Sequence, residues 1–137
     1  IQLDLKNKKV LIVDDNQHNR IILSEFLIKH EATFDEAKNG TEALQKVEAA
    51  SKAKNYYDLI LLDGRMPDID GFTVAKKMNE QALIHQTVIM MLTSDQRSGD
   101  IKKSKDLGIK DYLVKPISSK ELSKKISIAI GASSKED

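Results

Sequence analysis

The sequence predicts an α/β fold in which helices cover both faces of an open, doubly wound parallel sheet. Short apolar segments alternate with longer segments in which apolar residues recur at helical spacing, as in βαβ units. The short segments are continuously apolar, which is typical of parallel strands that are buried on both faces. The length of 137 residues suits one domain with a core of its own.

The first part of the chain predicts two strand and helix pairs. The segment KKVLIVDD contains the apolar run at residues 10–13, and NRIILSEFLIKH then places Ile22, Leu23 and Phe26 at helical spacing. The segment ATFDEA is a weaker second strand. In NGTEALQKVEAA, Asn39 and Glu42 have the spacing of a capping box, so the second helix should begin directly after Asn39.

The rest of the chain repeats this pattern. The segments YDLILLD and TVIMMLTS are predicted strands, with a helix in GFTVAKKMNEQAL between them. A less apolar helix near DIKKSKDLG, a strand in DYLVK and a closing helix in SKELSKKISIAIG complete five strands and five helices. Right-handed crossovers then favour a flavodoxin-like (βα)5 sheet with the strand order 2-1-3-4-5.

We expect one domain at residues 8–131, an N-terminal extension at residues 1–7 and a C-terminal tail at residues 132–137. No internal linker, repeat or low-complexity tract divides the sequence. The first residue is Ile1 rather than Met, so we expect a piece of a longer or processed polypeptide.

Composition limits the kinds of protein to consider. Lysine and arginine number 22 against 21 acidic residues, which gives no net bias toward nucleic acid or toward an acidic partner. The absence of cysteine excludes a disulfide framework and a thiolate metal site. No run of 18 apolar residues occurs, so we expect no membrane insertion by this domain.

Polar residues follow the apolar runs at the ends of four predicted strands. They are Asp14 and Asp15, Asp63, Thr93 and Lys115. Because sites in open α/β sheets lie beyond the carboxyl ends of the strands, these side chains should converge. Two unit charges about 4 Å apart interact by roughly 4 kcal/mol at an effective dielectric near 20, so three clustered carboxylates need a cation. Mg²⁺ suits such oxygen ligands and keeps waters that phosphate oxygens can replace, which indicates phosphoryl chemistry.

The motifs that contain these residues resemble those of a response-regulator receiver domain of the CheY-like superfamily. The resemblance covers nearly the whole chain and rests on VDDN, LLDGRMPDIDG, LTS and YLVKP, in the order and spacing of that family. It implies a phosphoacceptor domain of a two-component phosphorelay, with Mg²⁺-dependent phosphoryl transfer from a phosphohistidine to an aspartate.

The resemblance also assigns residue roles. Asp63 would be the phosphoacceptor, and Thr93 and Lys115 would bind phosphoryl oxygens. The protein ligands of Mg²⁺ or Mn²⁺ would be Asp14, Asp15, Asp63 and the main-chain carbonyl of Arg65. No organic cofactor is expected.

A conformational switch is implied as well. Thr93 and Tyr112 would be the switch residues, and their movement would reshape the surface of the fourth helix, the fifth strand and the fifth helix. The family further leads us to expect a cis peptide bond between Lys115 and Pro116, which the reduced trans preference of X-Pro bonds permits.

Each feature also has an ordinary structural explanation. The acidic pair could cap a helix, and Asp63 could bind loop amides at a strand end. Lysine is common on surfaces and threonine in strands, while Tyr112 could simply pack in the core. The joint occurrence at four strand ends, in the family's order, favours the functional interpretation.

Three other functional classes are alternatives to a receiver. A haloacid-type Mg²⁺-dependent phosphatase also uses a strand-end aspartate, but it resembles D-x-D, and Arg65 occupies the position two residues after Asp63. A flavodoxin-like cofactor binder would need a phosphate-binding loop where this chain has the acidic DDNQHN. A pseudo-receiver that acts only in docking is the third alternative.

The segments DDNQHNRIIL and DGRMPDIDGF resemble receivers appended to hybrid histidine kinases. The expected partner is the phosphohistidine of a histidine kinase or of a histidine phosphotransfer domain, and a homodimer is left open. The domain would catalyse only its own phosphorylation and dephosphorylation, in a cytoplasmic parent kinase that could be tethered to the inner face of a membrane. A stand-alone or DNA-binding response regulator is the alternative. We interpret the lysine-rich last third as solvated surface and expect no direct nucleic-acid binding by this domain.

Overall fold

The computed structural model describes residues 4–94 and 107–134. Strands and helices alternate along these ranges: β1 (Lys9–Val13), α1 (Gln17–Lys29), β2 (Thr33–Ala37), α2 (Gly40–Lys52), β3 (Leu59–Asp63), α3 (Gly71–Glu80), β4 (Val88–Thr93), β5 (Asp111–Val114) and α4 (Ser119–Ser134). The helix predicted near DIKKSKDLG lies mostly outside the described residues. No helix in these ranges combines the length and the apolar character needed to cross a membrane.

The five strands form one parallel sheet with the order β2-β1-β3-β4-β5, which confirms the predicted topology. Val13 is paired with Leu62, so the residue after β1 lies level with the last residue of β3. Asp63 is paired with Leu92 in β4, one residue before Thr93. The register therefore aligns the polar residues at the carboxyl ends of the central strands.

Alternate residues of the strands contribute to a separate apolar core on each face of the sheet. One core receives the helix residues Leu23, Phe26, Leu27, Leu122 and Ile126 from α1 and α4. The other receives Ala43, Val47, Val74, Ala75 and Met78 from α2 and α3. The sheet is thus covered on both sides, as the continuous apolar runs predict.

Side-chain caps set the starts of the helices. Asn39 accepts a hydrogen bond from the Glu42 amide at 2.8 Å, which confirms the predicted start of α2. The Glu42 carboxylate accepts from the amide of Lys38 at 3.2 Å, one residue before the position that an ideal capping box uses. Asn16 and Asp70 cap α1 and α3 in the same way.

The ends of two helices differ from the prediction. The helix α3 ends at Glu80 rather than at Leu83, because Ala82 adopts a left-handed conformation with φ of 51°. The helix α4 continues to Ser134, since a glycine at position 131 weakens a helix without ending it. Leu5, within the predicted N-terminal extension, is fully buried in the core formed with α1 and α4.

Candidate functional site

Three carboxylates lie together at the carboxyl end of the sheet. Asp14 directly follows β1 and Asp63 ends β3, and each offers an oxygen that lies within 4.8 Å of the others and of one from Asp15. Asp14 is fully buried and Asp63 is only 3% exposed, whereas Asp15 is exposed. Two buried carboxylates and one exposed carboxylate therefore form one acidic cluster at this end of the sheet.

Lys115 brings a positive charge to the two buried acids. Its Nζ lies 3.3 Å from Asp14 Oδ2 and 3.3 Å from Asp63 Oδ1. The Lys115 amide donates a hydrogen bond to the carbonyl of Thr93 at 2.7 Å, which extends the pairing of β4 with β5 by one residue. The Lys115–Pro116 peptide bond is cis, as the resemblance implied.

The hydrogen bonds of the two buried acids differ, and those of Asp14 are incomplete within the described residues. The amide of Asn16 donates to Asp14 Oδ1 at 2.9 Å, and the amide of Arg65 donates to Asp63 Oδ1 at 3.2 Å. Asp14 Oδ2 accepts no hydrogen bond from the described residues, although Lys115 lies within ion-pair distance. A buried carboxylate oxygen without a hydrogen bond is costly. The residues therefore fit a hard divalent cation such as Mg²⁺, which prefers oxygen ligands.

The environment of Asp63 favours its protonated form. Burial raises the pKa of the Asp63 carboxyl group to about 7, from an ordinary value of 3.8, and the negative charge of Asp14 acts in the same direction. The Arg65 amide and the Lys115 ammonium group lower the pKa and only partly offset these effects. A bound cation at this site would shift Asp63 back toward its carboxylate form.

The main chain beside Asp63 is closely packed. The Gly64 amide donates to the Leu92 carbonyl at 2.9 Å, and the Gly71 amide donates to the Gly64 carbonyl at 3.0 Å. A Cβ atom at position 71 would overlap the Asp63 carbonyl oxygen, so only glycine permits this approach. The start of α3 thus holds the residues that follow the phosphoacceptor candidate.

The remaining predicted site residues occupy the surroundings of this cluster. Thr93 is half-buried at the end of β4, next to the β3 register position of Asp63. Arg65 is exposed in the loop between β3 and α3, where its amide contacts Asp63. Tyr112 is 6% exposed and belongs to the core on the α2 and α3 face.

Arg20 in α1 is a candidate that the sequence reasoning did not name, and it contacts the main chain of Asp14. Its Nη1 donates a hydrogen bond to the Asp14 carbonyl at 2.7 Å, and its Nε lies 3.4 Å from Glu36 Oε1 on β2. The sequence does hold a signal for this contact. A cation near the N-terminus of a helix opposes the helix dipole, so it suggests a specific partner.

Asp68 is a second residue whose role the sequence did not reveal. Its carboxylate accepts hydrogen bonds from the Gly40 amide at 3.0 Å, from the Thr41 amide at 2.9 Å and from the Thr41 hydroxyl at 2.7 Å. The Thr41 hydroxyl contributes most to holding the pKa of this carboxyl group well below its usual range. Asp68 thereby ties the loop after β3 to the N-terminus of α2.

Comparisons with known proteins agree with this geometry. A family model described as "Response regulator receiver domain" matches residues 10–127. The chain is 38% identical over 114 residues to "Transcriptional regulatory protein ResD" of Bacillus subtilis, covering 83% of this chain and 44% of that protein. It is 37% identical over 117 residues to "Hybrid signal transduction histidine kinase L" of Dictyostelium discoideum, covering 83% of this chain and 7% of that protein. The chain therefore spans less than half the length of these two relatives.

A solved structure gives the same result. The chain resembles one from the Saccharomyces cerevisiae co-crystal of the histidine phosphotransfer signaling protein Ypd1 with the receiver domain of its downstream response regulator Ssk1. The TM-score is 0.79 at 32% sequence identity, and the match covers 92% of this chain and 90% of that chain.

Proposed function

Because this chain belongs to the response regulator receiver family of two-component signalling proteins, we propose that it is a Mg²⁺-dependent phosphoacceptor whose reactive group is Asp63. The observation that carries the proposal is the position of Asp63. It is buried beside Asp14, and Lys115 lies 3.3 Å from both carboxylates. A purely structural acid at a strand end does not need a second buried acid next to it.

The proposed metal ligands are Asp14, Asp15, Asp63 and the main-chain carbonyl of Arg65, with Mg²⁺ or Mn²⁺ as the ion. Asp14 Oδ2 accepts no hydrogen bond from the described residues, which supports this assignment, as does the clustering of the three acids within 4.8 Å. When bound, the ion would neutralise the clustered carboxylates and stabilise charge on the phosphoryl oxygens.

The residues of the chain would then act by position and charge. An Asp63 carboxylate oxygen attacks the phosphorus of a phosphohistidine, and the bond from the donor nitrogen to phosphorus breaks as the new oxygen to phosphorus bond forms. The Lys115 ammonium group, already 3.3 Å from Asp63, lies within reach of an oxygen of the transferred group. The hydroxyl of Thr93 would bind another of these oxygens.

Phosphorylation would also be the signal. The transferred group carries about −1.5 to −2 charge at Asp63, where the carboxylate carried −1, and this charge attracts the Lys115 ammonium group and the Thr93 hydroxyl. We assign Tyr112, buried in this structure, as the aromatic residue that changes position when Thr93 moves. The affected surface would include β5, α4 and the segment that precedes them, part of which lies outside the described residues.

We place the domain in a hybrid histidine kinase of the cytoplasm, with a histidine kinase or a histidine phosphotransfer protein as phosphoryl donor. The likeness to hybrid kinase L supports this context, and the likeness to the Ypd1 and Ssk1 complex supports the donor. The receiver of a DNA-binding regulator is the second candidate, which the 38% identity to ResD favours. In either context the domain itself catalyses only its own phosphorylation and dephosphorylation.

The test compares two acids at opposite ends of β3. Radioactive acetyl phosphate with Mg²⁺ should label the wild type, and hydroxylamine should release this label. Asp63→Asn should not be labelled in this way, because the nucleophile is gone. Asp58→Asn should be labelled as well as the wild type, since Asp58 accepts its hydrogen bond from Lys9 at the other end of the sheet. Equal labelling of Asp63→Asn and the wild type would refute the assignment.

A second measurement separates the receiver from the alternatives. The wild type should lose labelling when a chelator removes Mg²⁺, and it should not turn over added phosphate esters. Steady hydrolysis of such esters would indicate a phosphatase. A wild type that accepts no phosphoryl group from acetyl phosphate or from a phosphorylated histidine phosphotransfer protein would indicate a pseudo-receiver.

A further inference from the structure

The guanidinium group of Arg20 connects three parts of the chain at the edge of the acidic site. It belongs to α1, donates to the Asp14 carbonyl at 2.7 Å and lies 3.4 Å from the Glu36 carboxylate on β2. The Arg20 side chain is only 17% exposed, against 44% for Glu36. These contacts are therefore more sheltered from water than those of an ordinary surface arginine.

The place of Arg20 in α1 is unfavourable for the helix alone. It is the fourth residue of α1, close to the positive end of the helix dipole, where a cation is destabilising. Side chains on a helix lean toward its N-terminus, which lets Arg20 reach back past the cap residue Asn16 to Asp14. The contacts with Asp14 and Glu36 thus offset a cost that a neutral residue would avoid.

The Arg20 contact fixes a main-chain group that secondary structure leaves unused. The Asp14 amide donates to the Ala37 carbonyl of β2 at 3.1 Å, and the first helical hydrogen bond runs from the Arg20 amide to the Asn16 carbonyl at 3.1 Å. The Asp14 carbonyl lies between these two systems and accepts from the Arg20 side chain. Both main-chain groups of Asp14 are therefore held.

We propose that Arg20 is a positioning residue that sets the affinity of the acidic site for Mg²⁺ by holding the main chain of Asp14 and Asp15. Asp14 carries the carboxylate oxygen that accepts no hydrogen bond within residues 4–94 and 107–134, and Asp15 is the next residue. Rotation of the peptide between them would move both carboxylates relative to Asp63. This inference rests on the proposed Mg²⁺-dependent function.

The charge of Arg20 and its positioning role predict opposite effects of its removal on the affinity for Mg²⁺, which makes the inference testable. Removing a positive charge near three carboxylates should strengthen the attraction of a cation. Releasing the Asp14 carbonyl should weaken binding, because the ligand oxygens are no longer held in place. Residues that orient metal ligands typically contribute about 10- to 100-fold to affinity, so we expect position to dominate.

The experiment titrates purified protein with Mg²⁺ alone by calorimetry, at a temperature at which circular dichroism shows every variant folded. Arg20→Gln and Arg20→Lys should each bind Mg²⁺ about tenfold more weakly. Glutamine removes the guanidinium group, and lysine keeps the charge but not the planar pair of donors. Glu36→Gln keeps the contact with Asp14 and should weaken binding by less than about threefold. In metal-free protein, the Arg20 variants should show faster hydrogen exchange at the amides of residues 15 and 16.

Tyr57→Phe is the matched control for a general loss of stability. It removes a 2.7 Å hydrogen bond to Asp35 on the side of the sheet away from the acids, and it should leave the affinity for Mg²⁺ unchanged. If Arg20→Gln binds Mg²⁺ as tightly as the wild type or more tightly, the inference about Arg20 is wrong and the proposed function stands. The same holds if Tyr57→Phe weakens Mg²⁺ binding as much as Arg20→Gln does. A wild type that binds no Mg²⁺ would overturn the proposed function, and the inference with it.

Discussion

The amino and carboxyl ends of the same sheet surround their polar side chains in different ways. At the amino end, the Asp58 carboxylate accepts from the Lys9 amide at 2.8 Å, and the buried Tyr57 donates its hydroxyl to Asp35 at 2.7 Å. At the carboxyl end, Asp14 keeps a buried oxygen that accepts no hydrogen bond from the part of the chain that the structure describes, and Asp63 lies next to it.

The pKa values follow the same division, although burial is the largest cause of the shift at both ends. Burial of Tyr57, followed by its hydrogen bond to Asp35, raises the pKa of the phenol well above its usual range, so this group stays neutral and paired at all ordinary pH values. Burial and the charge of Asp14 raise the pKa of Asp63 to about 7. Of these two groups, the one whose protonation changes near neutral pH is therefore Asp63, at the proposed reactive site.

The two ends of the sheet therefore contribute differently to the free energy of unfolding. At the amino end the polar groups are paired, which stabilises the fold. At the carboxyl end like charges lie close together, which destabilises it. Such strained clusters are typical of functional sites. Four changes would break or sharpen this contrast.

The largest effect is expected for Lys115→Met. It removes the cation from two buried carboxylates, so at pH 8 the metal-free protein should lose about 3 kcal/mol of unfolding free energy. The rate of phosphorylation by acetyl phosphate should fall by about 100-fold, because the charge on the transferred group loses a partner. Urea titration and initial rates of labelling measure the two effects.

Lys125→Met is the control for Lys115→Met. Lys125 lies 3.4 Å from Asp111, whose side chain is 44% exposed. Removing this exposed pair should cost less than about 1 kcal/mol and should not change the rate. Similar effects for the two lysines would remove the distinction between the site and the rest of the surface.

The next effect concerns the dependence of stability on pH in the metal-free protein. The native pKa of Asp63, about 7, lies above the ordinary 3.8, so the native state retains a proton that the unfolded state has already lost. The wild type should therefore lose stability from this group as pH rises toward 7. Asp63→Asn lacks this loss and should be more stable at pH 8 by at least about 1 kcal/mol.

Urea unfolding at pH 5 and pH 8 in the presence of a chelator measures this difference. The advantage of Asp63→Asn over the wild type should be larger at pH 8 than at pH 5. If the difference in unfolding free energy between Asp63→Asn and the wild type is the same at both pH values, the native pKa of Asp63 is not raised.

A smaller effect is expected at the amino end. The Thr87 hydroxyl donates to the Tyr57 carbonyl at 2.6 Å, and Thr87→Val should remove this bond at a cost of about 1 kcal/mol. Thermal unfolding should show the loss, while phosphorylation by acetyl phosphate stays at the wild-type rate. A slower rate would mean that the two ends of the sheet are coupled.

The smallest effect tests an acid at the carboxyl end whose hydrogen bonds are complete. Asp68→Asn should cost about 0.5 kcal/mol at pH 7, because the carboxylate faces the N-terminus of α2. The native pKa of Asp68 is depressed, so its contribution is present above the ordinary pKa and declines as pH falls below it. Urea unfolding should show a smaller difference at pH 3 than at pH 7.

Much of the fold could be predicted because its signals are local. The apolar runs at residues 10–13 and 59–62 predict buried strands, and the spacing of Asn39 and Glu42 predicts the start of α2. Parallel pairing then aligns the strand ends, so Asp14, Asp63 and Lys115 could be predicted to converge. The residues named as the candidate site therefore came from the sequence.

The energetic state of that site depended on the tertiary structure. The pKa of Asp63 reflects burial by residues from several elements. That Asp14 Oδ2 accepts no hydrogen bond from the described residues can be seen only once those residues are placed. The contacts of Arg20 with Asp14 and Glu36 exist only because α1 packs beside β2. The sequence by itself determined which side chains follow which strand, because periodicity is a property of neighbours in the chain. Distances, burial and hydrogen-bond partners were decided by the folded structure, because they join residues that lie far apart in sequence.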